Sequence, residues 1–257
     1  MLYVVLKGTW RSGMKKVLLG AAFAGVCGAL VASEGVEWGY SGDIGPKHWG
    51  GLSPEFSPCA FGKNQSPIDI KNALDTDLPE LDIRYRAGGH EVVNLLHTMQ
   101  VNYIPGSNVE VKGKRYHVTQ FHFHAPSENH IDGKSFPMEM HIVNVDEDGN
   151  LAVLAVMLEE GEENPVLAEV WKRLPKKAGG RHRLKEMVNV ADMLPENLDY
   201  FRFSGSLTTP PCSEGVIWVV LKSPVSASAK QIELFKALMP EPNNRPIQPL
   251  NARKVLQ

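Results

Sequence analysis

The residues of this sequence best suited to chemistry are two histidines two positions apart and a third further along the chain. Residues 120–124 have the sequence QFHFH. Successive side chains of a β-strand point to opposite faces, so His122 and His124 share one face and the two phenylalanines share the other. An Asp-Gly turn at 132–133 precedes the next strand. Pairing of the two strands would bring His141 to the first two imidazoles.

Three neutral imidazole nitrogens without a fourth protein ligand form the donor set of a catalytic zinc site, because a fully protein-ligated ion leaves no position for water or substrate. Gln120 and Glu139 each lie two residues before a histidine, on the same face as that histidine. Acceptors at this offset fix the tautomer and basicity of a ligand imidazole. An isolated His-x-His pair would favour ordinary surface histidines, but the third histidine and the two matched acceptors favour a Zn²⁺ site.

The elements that must position these residues are mostly short strands. Turn residues separate runs rich in Val, Ile, Tyr and Phe, a pattern typical of strands. Those runs are EVVNLLHTMQVNY, YHVTQFHFH, MEMHIVNV, LAVLAVML and VIWVVL. Helices are few: Asn164 with Pro165 predicts the start of one, and Ser228 with Gln231 forms the capping-box signature of another. We expect a mainly β (α+β) fold, a single domain with a central twisted, mostly antiparallel sheet and a few short peripheral helices.

Composition limits the function classes. The chain has 257 residues, of which 43% are hydrophobic and 22% charged, enough for one large domain with a sizeable core. The formal net charge is -2, and lysines and arginines are dispersed along the sequence. This pattern does not indicate a nucleic-acid-binding surface, but it is compatible with a small neutral or anionic substrate.

The N-terminal segment has the features of a secretory signal: two lysines at 15 and 16, an apolar run and a small-residue end. We expect residues 1–33 to be a signal peptide removed on export, with Met14 as an alternative start, and residues 34–257 to form the functional domain. The alternative is an uncleaved membrane anchor, but the run is shorter than the ~20 apolar residues of a spanning helix. We therefore expect a periplasmic or secreted protein.

Two cysteines, Cys59 and Cys212, remain after removal of that segment. An even pair in an exported chain indicates a disulfide, with two free thiols as the alternative. The bridge would close a loop of roughly 150 residues, for which loop-closure entropy gives an upper figure of about 5 kcal/mol.

From about residue 38 to residue 253 the chain resembles the alpha-class carbonic anhydrases, particularly the secreted bacterial ones. The motifs that carry the resemblance are WGYSGDIGPKHW, KNQSPIDI, QFHFHAPSE, MEMHIV, LAVLAVM, SGSLTTPPCSEGVIW and NNRPIQPLNAR. Several are highly specific, and their order and spacing agree. The resemblance implies a twisted, mostly antiparallel sheet with zinc in a conical cleft, and it also implies the disulfide between Cys59 and Cys212.

The resemblance further implies a lyase, carbonate dehydratase, in which zinc-bound hydroxide reversibly hydrates carbon dioxide to bicarbonate and a proton. It implies carbon dioxide and bicarbonate as small-molecule partners, no nucleic acid, no membrane after signal cleavage, and a homodimer as one candidate assembly. By composition alone the apolar residues that it assigns to the site would be ordinary core. The residues carried over are the zinc ligands His122, His124 and His141, the supporting Gln120 and Glu139, the gatekeeping pair Thr208 and Glu128, the substrate neighbours Val143, Val153, Leu207, Thr209, Val216 and Trp218, the water-ordering Tyr40, and the proton shuttle His97.

This chain departs from the family pattern beside the shuttle position. Leu95 and Leu96 stand where relatives commonly have Asn and Gly, and Asn129 replaces a frequent histidine. None of these changes touches a zinc ligand, so we expect activity to be kept, and proton transfer is the step that they put in question. Two other functions were weighed: a non-enzymatic binding module on the same scaffold, which would typically lack a zinc histidine, and a different zinc hydrolase, for which there is no HExxH helix.

Overall fold

The computed structural model describes residues 35–257, so the expected signal peptide lies outside the described residues. The helices are short: α1 Trp49–Leu52, α2 Pro58–Phe61, α3 Pro165–Trp171 and α4 Ala229–Leu238. Among the described residues, no helix has the length and apolar character needed to cross a membrane. The strands are β1 Asp69–Ile70, β2 Asp82–Arg84, β3 Gly89–Asn94, β4 Met99–Tyr103, β5 Asn108–Val111, β6 Lys114–His124, β7 His130–Ile131, β8 Met138–Val145, β9 Leu151–Glu160, β10 Arg181–Val188, β11 Tyr200–Ser206, β12 Glu214–Leu221 and β13 Val225–Ala227.

A mixed sheet of 11 strands forms the body of the described part. Its main path runs β10-β3-β4-β6-β8-β9-β12-β11, and most neighbours are antiparallel. Strand β9 instead pairs in parallel with β12 and with β13. The architecture confirms the predicted mainly β fold with a large, mostly antiparallel sheet and few short helices.

Strands β6 and β8 lie in the middle of this path and carry the histidines. In their antiparallel register His122 is opposite His141, and His124 is opposite Glu139. The alternating residues Phe121 and Phe123 are fully buried in the larger apolar core, on the other face of the sheet. Strand alternation therefore places one face of β6 in the core and the other at the histidine cluster, as the sequence predicts.

Both predicted helix starts are confirmed. The Asn164 side chain accepts hydrogen bonds from the amides of Val166 and Leu167 at the start of α3. At the start of α4, Ser228 and Gln231 form a reciprocal capping box. Helix α3 ends at Trp171.

The run EVVNLLHTMQVNY forms two strands rather than one. Strands β3 and β4 are joined by a turn in which the Leu95 amide donates to the Thr98 carbonyl at 2.9 Å. Leu96 has φ 69°, in the left-handed region, and its amide donates to the Asn94 side chain. Because the turn contains neither Gly nor Pro, Asn94 is its only turn residue, and a single Asn is a weak signal in the sequence.

Two long-range links close the fold. Cys59 and Cys212 form a disulfide across 153 positions, which confirms the predicted bridge. Near the C-terminal end, Leu256 forms one bridge with Leu74 and another with Arg202, so this segment lies between two distant parts of the chain.

Candidate metal centre

His122, His124 and His141 converge on one point. One ring nitrogen from each lies within 4.8 Å of the other two. His124 and His141 are buried, whereas His122 is partly exposed and so borders the open side of the cluster. The two adjacent central strands supply all three ligand candidates, so the sheet itself fixes their spacing.

In each imidazole the nitrogen that points away from this cluster contacts an acceptor. His122 Nδ1 is 2.9 Å from Gln120 Oε1, and His141 Nε2 is 2.9 Å from Glu139 Oε1. These contacts assign the proton of each ring to the nitrogen beside its acceptor. The opposite nitrogen of each ring then offers a lone pair, as a metal ligand must.

His124 uses an acceptor that the sequence analysis did not identify. Its Nδ1 is 2.7 Å from the backbone carbonyl of Asn243, 119 positions away. The Asn243 side chain holds that segment in place by accepting from the Ala125 amide and donating to the Phe123 carbonyl. His124 Nε2 is buried without a hydrogen-bond partner among the described residues, so it is free to bind a metal.

The carboxylate of Glu139 is fixed by four donors. Its Oε1 atom accepts from His141 and from the Asn129 side-chain amide at 2.7 Å, and its Oε2 atom accepts from the backbone amides of Glu128 and Asn129 at 2.7 and 2.8 Å. Asn129 also accepts from the Ile68 amide. The residue that departs from the family pattern at 129 is therefore part of the support of His141.

The environment keeps the three imidazoles neutral. Burial lowers the pKa of each, well below the ordinary value for His122 and His141. The proximity of the other rings lowers the pKa of His122 and His141 further. Neutral imidazoles clustered at this spacing are the form that binds a divalent metal.

Glu128 extends from the neighbouring loop toward the cluster. Its Oε1 accepts from the Arg245 amide at 2.8 Å, while Oε2 lies 3.5 Å from His124 Nε2 and has no hydrogen-bond partner. Burial raises the pKa of Glu128 well above its ordinary value, and the Arg245 amide and the Thr208 hydroxyl oppose that shift. Thr208 is thus beside the carboxyl group, but Oε2 does not yet accept a well-aligned hydrogen bond.

The predicted apolar residues do gather beside the histidines. Trp218 packs edge-on against His141, with ring centroids 4.8 Å apart. The apolar members of the predicted substrate set lie in, or pack against, the smaller apolar cluster. Thr209 is partly buried, and its carbonyl accepts from the Cys212 amide. The members of this apolar wall are Val143, Val153, Leu207, Val216 and Trp218.

His97 lies apart from the metal ligand candidates, at the turn between β3 and β4. Its ring stacks on Trp38 with centroids 3.8 Å apart, and the Tyr40 ring is 6.0 Å away. Burial lowers the pKa of His97, while Glu241 opposes the shift. The buried atoms His97 Nδ1 and Tyr40 Oη have no hydrogen-bond partner among the described residues.

Comparison with known proteins identifies relatives of this arrangement. The sequence model of the family described as "Eukaryotic-type carbonic anhydrase" matches residues 44–257. A protein named carbonic anhydrase from Pectobacterium carotovorum is 48% identical over 243 residues, which cover 95% of this chain and 100% of the relative.

Solved structures give the same relationship. The alpha-carbonic anhydrase from Thermovibrio ammonificans, in complex with the inhibitor sulfanilamide, superposes with a TM-score of 0.85 at 50% identity, covering 87% of this chain and 100% of that chain. Dioscorin complexed with ascorbate has a TM-score of 0.81 at 29% identity, covering 86% and 97%. The scaffold of this chain is thus similar to an alpha-carbonic anhydrase and to dioscorin, so the activity has to be argued from the residues of the site.

Proposed function

Because the chain belongs to the eukaryotic-type (alpha) carbonic anhydrase family, we propose that it reversibly hydrates carbon dioxide to bicarbonate and a proton at a zinc ion held by His122, His124 and His141. The family consists of lyases that act on carbon dioxide and bicarbonate. The observation that carries the proposal is the pairing of each imidazole with an acceptor on one nitrogen, which leaves the other nitrogen for the cluster.

The residues fit zinc. Three nitrogen donors without a fourth protein ligand leave the open position of a catalytic site. His124 Nε2 and Glu128 Oε2 are 3.5 Å apart, and both are buried without a hydrogen-bond partner in residues 35–257. When bound here, zinc would supply the Lewis acidity that lowers the pKa of bound water toward neutrality, an effect for which carbonic anhydrases are themselves the reference case.

Thr208 and Glu128 orient the reacting oxygen. A hydroxyl has one proton to donate, and if Glu128 accepts that proton, the Thr208 oxygen acts only as an acceptor toward the reactants. The Arg245 amide holds Glu128 from the opposite side. Next to a cationic centre the carboxyl group favours its ionised form, which offsets the effect of burial on its pKa.

The apolar wall binds the substrate. Carbon dioxide has no net dipole, so valines, Leu207 and Trp218 suit it better than a charged pocket would. Bicarbonate carries a charge, so the same wall favours its release to water. Thr209, which follows Thr208 in the chain and is partly buried, is the proposed polar neighbour of the substrate.

His97 and Tyr40 complete the proposed machinery as proton shuttle and water-ordering residue. An imidazole titrates near neutral pH, so such a side chain can accept a proton from ordered water and release it to bulk solvent. Tyr40 offers a buried hydroxyl with no protein partner among the described residues, which is free to bind water of such a chain.

We also propose a periplasmic or secreted location. The signal-like features of residues 1–33 and the disulfide between Cys59 and Cys212 support it, because disulfides persist in oxidising compartments. Determining the N-terminal residue of the protein recovered from the periplasm or the culture medium tests the proposed cleavage near residue 33.

Metal analysis paired with a stopped-flow assay of carbon dioxide hydration tests the function. We expect about one zinc per chain and loss of both metal and turnover in His122→Ala. His117→Ala is the matched control, since His117 lies on the same strand but outside the cluster, and it should keep both. Full turnover after rigorous chelation, or from His122→Ala, would contradict the proposal.

A further inference from the structure

Leu95 and Leu96 form the tip of the β3–β4 hairpin, and packing within the protein does not explain why apolar side chains stand there. Their exposed fractions are 43% and 47%, and neither belongs to an apolar cluster of the described residues. Leu96 also has φ 69°, a conformation that costs leucine energy. We call this pair the leucine tip. Exposed apolar side chains retained at an unfavourable position indicate a contact outside the molecule.

A strongly basic segment lies directly against the leucine tip. Asn94, the residue before the tip, receives a hydrogen bond from the Gly179 amide at 2.7 Å and donates to the carbonyls of Gly180 and Pro175, each at 3.0 Å. Between Glu169 and Glu186 the sequence contains no acidic residue and seven lysines or arginines, all exposed. We call them the basic edge: Lys172, Arg173, Lys176, Lys177, Arg181, Arg183 and Lys185.

The basic edge continues the face of the sheet that carries the histidines. Strand β10 is the edge strand, and Arg181 is opposite Val93 in its pairing with β3. Val93 is in turn opposite Gln100, and Gln100 is opposite His122. Cross-strand partners share a face, so Arg181 lies on the same face as His122, three strands away. Within the described residues, only Lys172 and Arg181 of the basic edge pair with a carboxylate.

We infer that the leucine tip and the basic edge together form a docking surface for an anionic phospholipid membrane. Cations attract such a surface, and neighbouring apolar side chains then enter the boundary between headgroups and acyl chains. A soluble polyanion would use the cations but would give the leucines no apolar medium. The chain as a whole has a net charge of -2, yet unpaired positive charges are concentrated beside two exposed leucines. These two features match the negative headgroups and the apolar acyl chains of an anionic membrane.

Docking to a membrane surface differs from crossing the membrane. The absence of a membrane-spanning helix in the described residues concerns insertion across the bilayer, not adsorption to its surface. The inference therefore revises the sequence-based expectation that the membrane is no partner after signal cleavage. His97 directly follows the leucine tip, so docking would bring the shuttle side of the site toward the bilayer, through which apolar carbon dioxide passes. That last consequence rests on the proposed function, whereas docking itself does not.

Co-sedimentation with lipid vesicles tests the inference. The exported protein, with its N-terminal residue verified, should bind vesicles that contain phosphatidylglycerol, bind pure phosphatidylcholine vesicles weakly, and dissociate as salt is added. Lys176→Gln/Lys177→Gln should reduce partitioning by about fivefold per charge removed. Leu95→Asn/Leu96→Asn should reduce it by about tenfold, since asparagine accepts the left-handed conformation but adds no apolar area.

Matched changes elsewhere on the surface serve as controls. Leu234→Asn on α4 removes a leucine with an exposed fraction of 41%, and Lys230→Gln/Lys236→Gln removes two charges from the same helix. Both controls should bind vesicles like the wild type, and zinc content and thermal unfolding should show that every variant is folded. Vesicle binding is measured without turnover, so failure of this inference and failure of the proposed activity are distinguishable.

Three results would overturn the inference. The first is failure of the wild type to sediment with phosphatidylglycerol vesicles at low salt. The second is binding of the leucine-tip variant as tight as that of the wild type, which would leave unspecific charge attraction only. The third is equal binding of dextran sulfate to the wild type and the leucine-tip variant, with complete displacement of the vesicles, which would identify a soluble polyanion as the partner.

Discussion

At the scale of single residues, Leu96 has the most constrained conformation near the proposed proton path. Its positive φ is one that glycine adopts without cost and leucine does not. The next residue, His97, stacks on Trp38, and its buried Nδ1 atom has no hydrogen-bond partner among the described residues. The side chain that would carry protons therefore rests against an aromatic surface, beside two leucines that offer no hydrogen bonds to water.

We predict that proton transfer limits turnover more severely than hydration does. Added imidazole-type buffer should raise kcat and leave kcat/KM nearly unchanged, and His97→Ala should lower kcat only modestly. Leu95→Asn/Leu96→Gly should raise kcat in weak buffer, because asparagine can bind water and glycine relieves the backbone strain. A stopped-flow buffer titration of the three proteins measures this. No buffer response in the wild type, together with no gain in the double variant, would disprove the prediction.

The candidate site could be predicted where local spacing carries the information. Gln120 and Glu139 lie two positions before their histidines on the same strands, and their contacts follow from strand alternation. Asn243 contributes a backbone carbonyl, which every residue has, from 119 positions away. No residue type or spacing marks such a contact, so sequence alone could not identify it.

At the scale of elements, Gln231 joins the starts of two helices. Its Oε1 atom accepts from the Ser228 amide within α4 and from the Asn164 amide ahead of α3. Its Nε2 atom donates to the Asn164 carbonyl at 2.7 Å. Because Gln231 is buried, these backbone groups have no access to water as a substitute partner. One side chain thus satisfies polar groups of both helix starts.

Replacement of this side chain should therefore affect both helices. We expect Gln231→Met, which keeps the length and apolar stem, to lower the free energy of unfolding by about 2–3 kcal/mol by leaving buried groups unpaired. Urea unfolding followed by tryptophan fluorescence measures the change. Turnover at low temperature should stay near the wild-type value, because the residue has no contact with the histidine cluster. A loss below about 0.5 kcal/mol would show that water replaces the missing bonds.

Element prediction succeeded for apolar runs of strand length and failed where the signal for a turn is weak. The apolar run MEMHIVNV forms β8 over Met138–Val145, with the predicted bounds and nearly every residue buried. The β3–β4 turn has neither Gly nor Pro, and its one turn residue, Asn94, was not enough to divide the run into two strands. Strand β10, rich in lysine and arginine, lacks the apolar alternation of a buried strand because it lies at the sheet edge with mostly exposed side chains.

At the scale of the whole molecule, the disulfide joins the N-terminal helical region to the loop that carries Thr208. The carbonyl of Cys59 accepts from the Arg245 guanidinium, and the carbonyl of Cys212 accepts from the Gln65 side chain. Arg245 also donates to Gln65. The disulfide and the Gln65 hydrogen bond join the same two segments across about 150 positions, and Arg245 ties a third segment to the first.

Loss of the bridge should lower stability strongly. We expect Cys59→Ser/Cys212→Ser to reduce the free energy of unfolding by about 3–5 kcal/mol, because the long loop regains freedom in the unfolded state. Unfolding in urea at a fixed zinc concentration measures the loss, since bound metal also contributes. Free-thiol titration of the denatured, unreduced mature protein should find essentially none. Two titratable thiols would refute the bridge.

The position of Leu256 between Leu74 and Arg202 also determines when the protein can finish folding. In the exported protein proposed above, the central hairpins join residues that are close in sequence and can form early, but these bridges and the parallel pairing of β9 with β12 join residues far apart in sequence. Such a high contact order slows folding. Until Leu256 is in place, the incomplete sheet presents edges that neighbouring chains can pair with. The yield of folded protein should therefore depend on the supply of chaperones in the compartment where it folds more than on the stability of the finished fold.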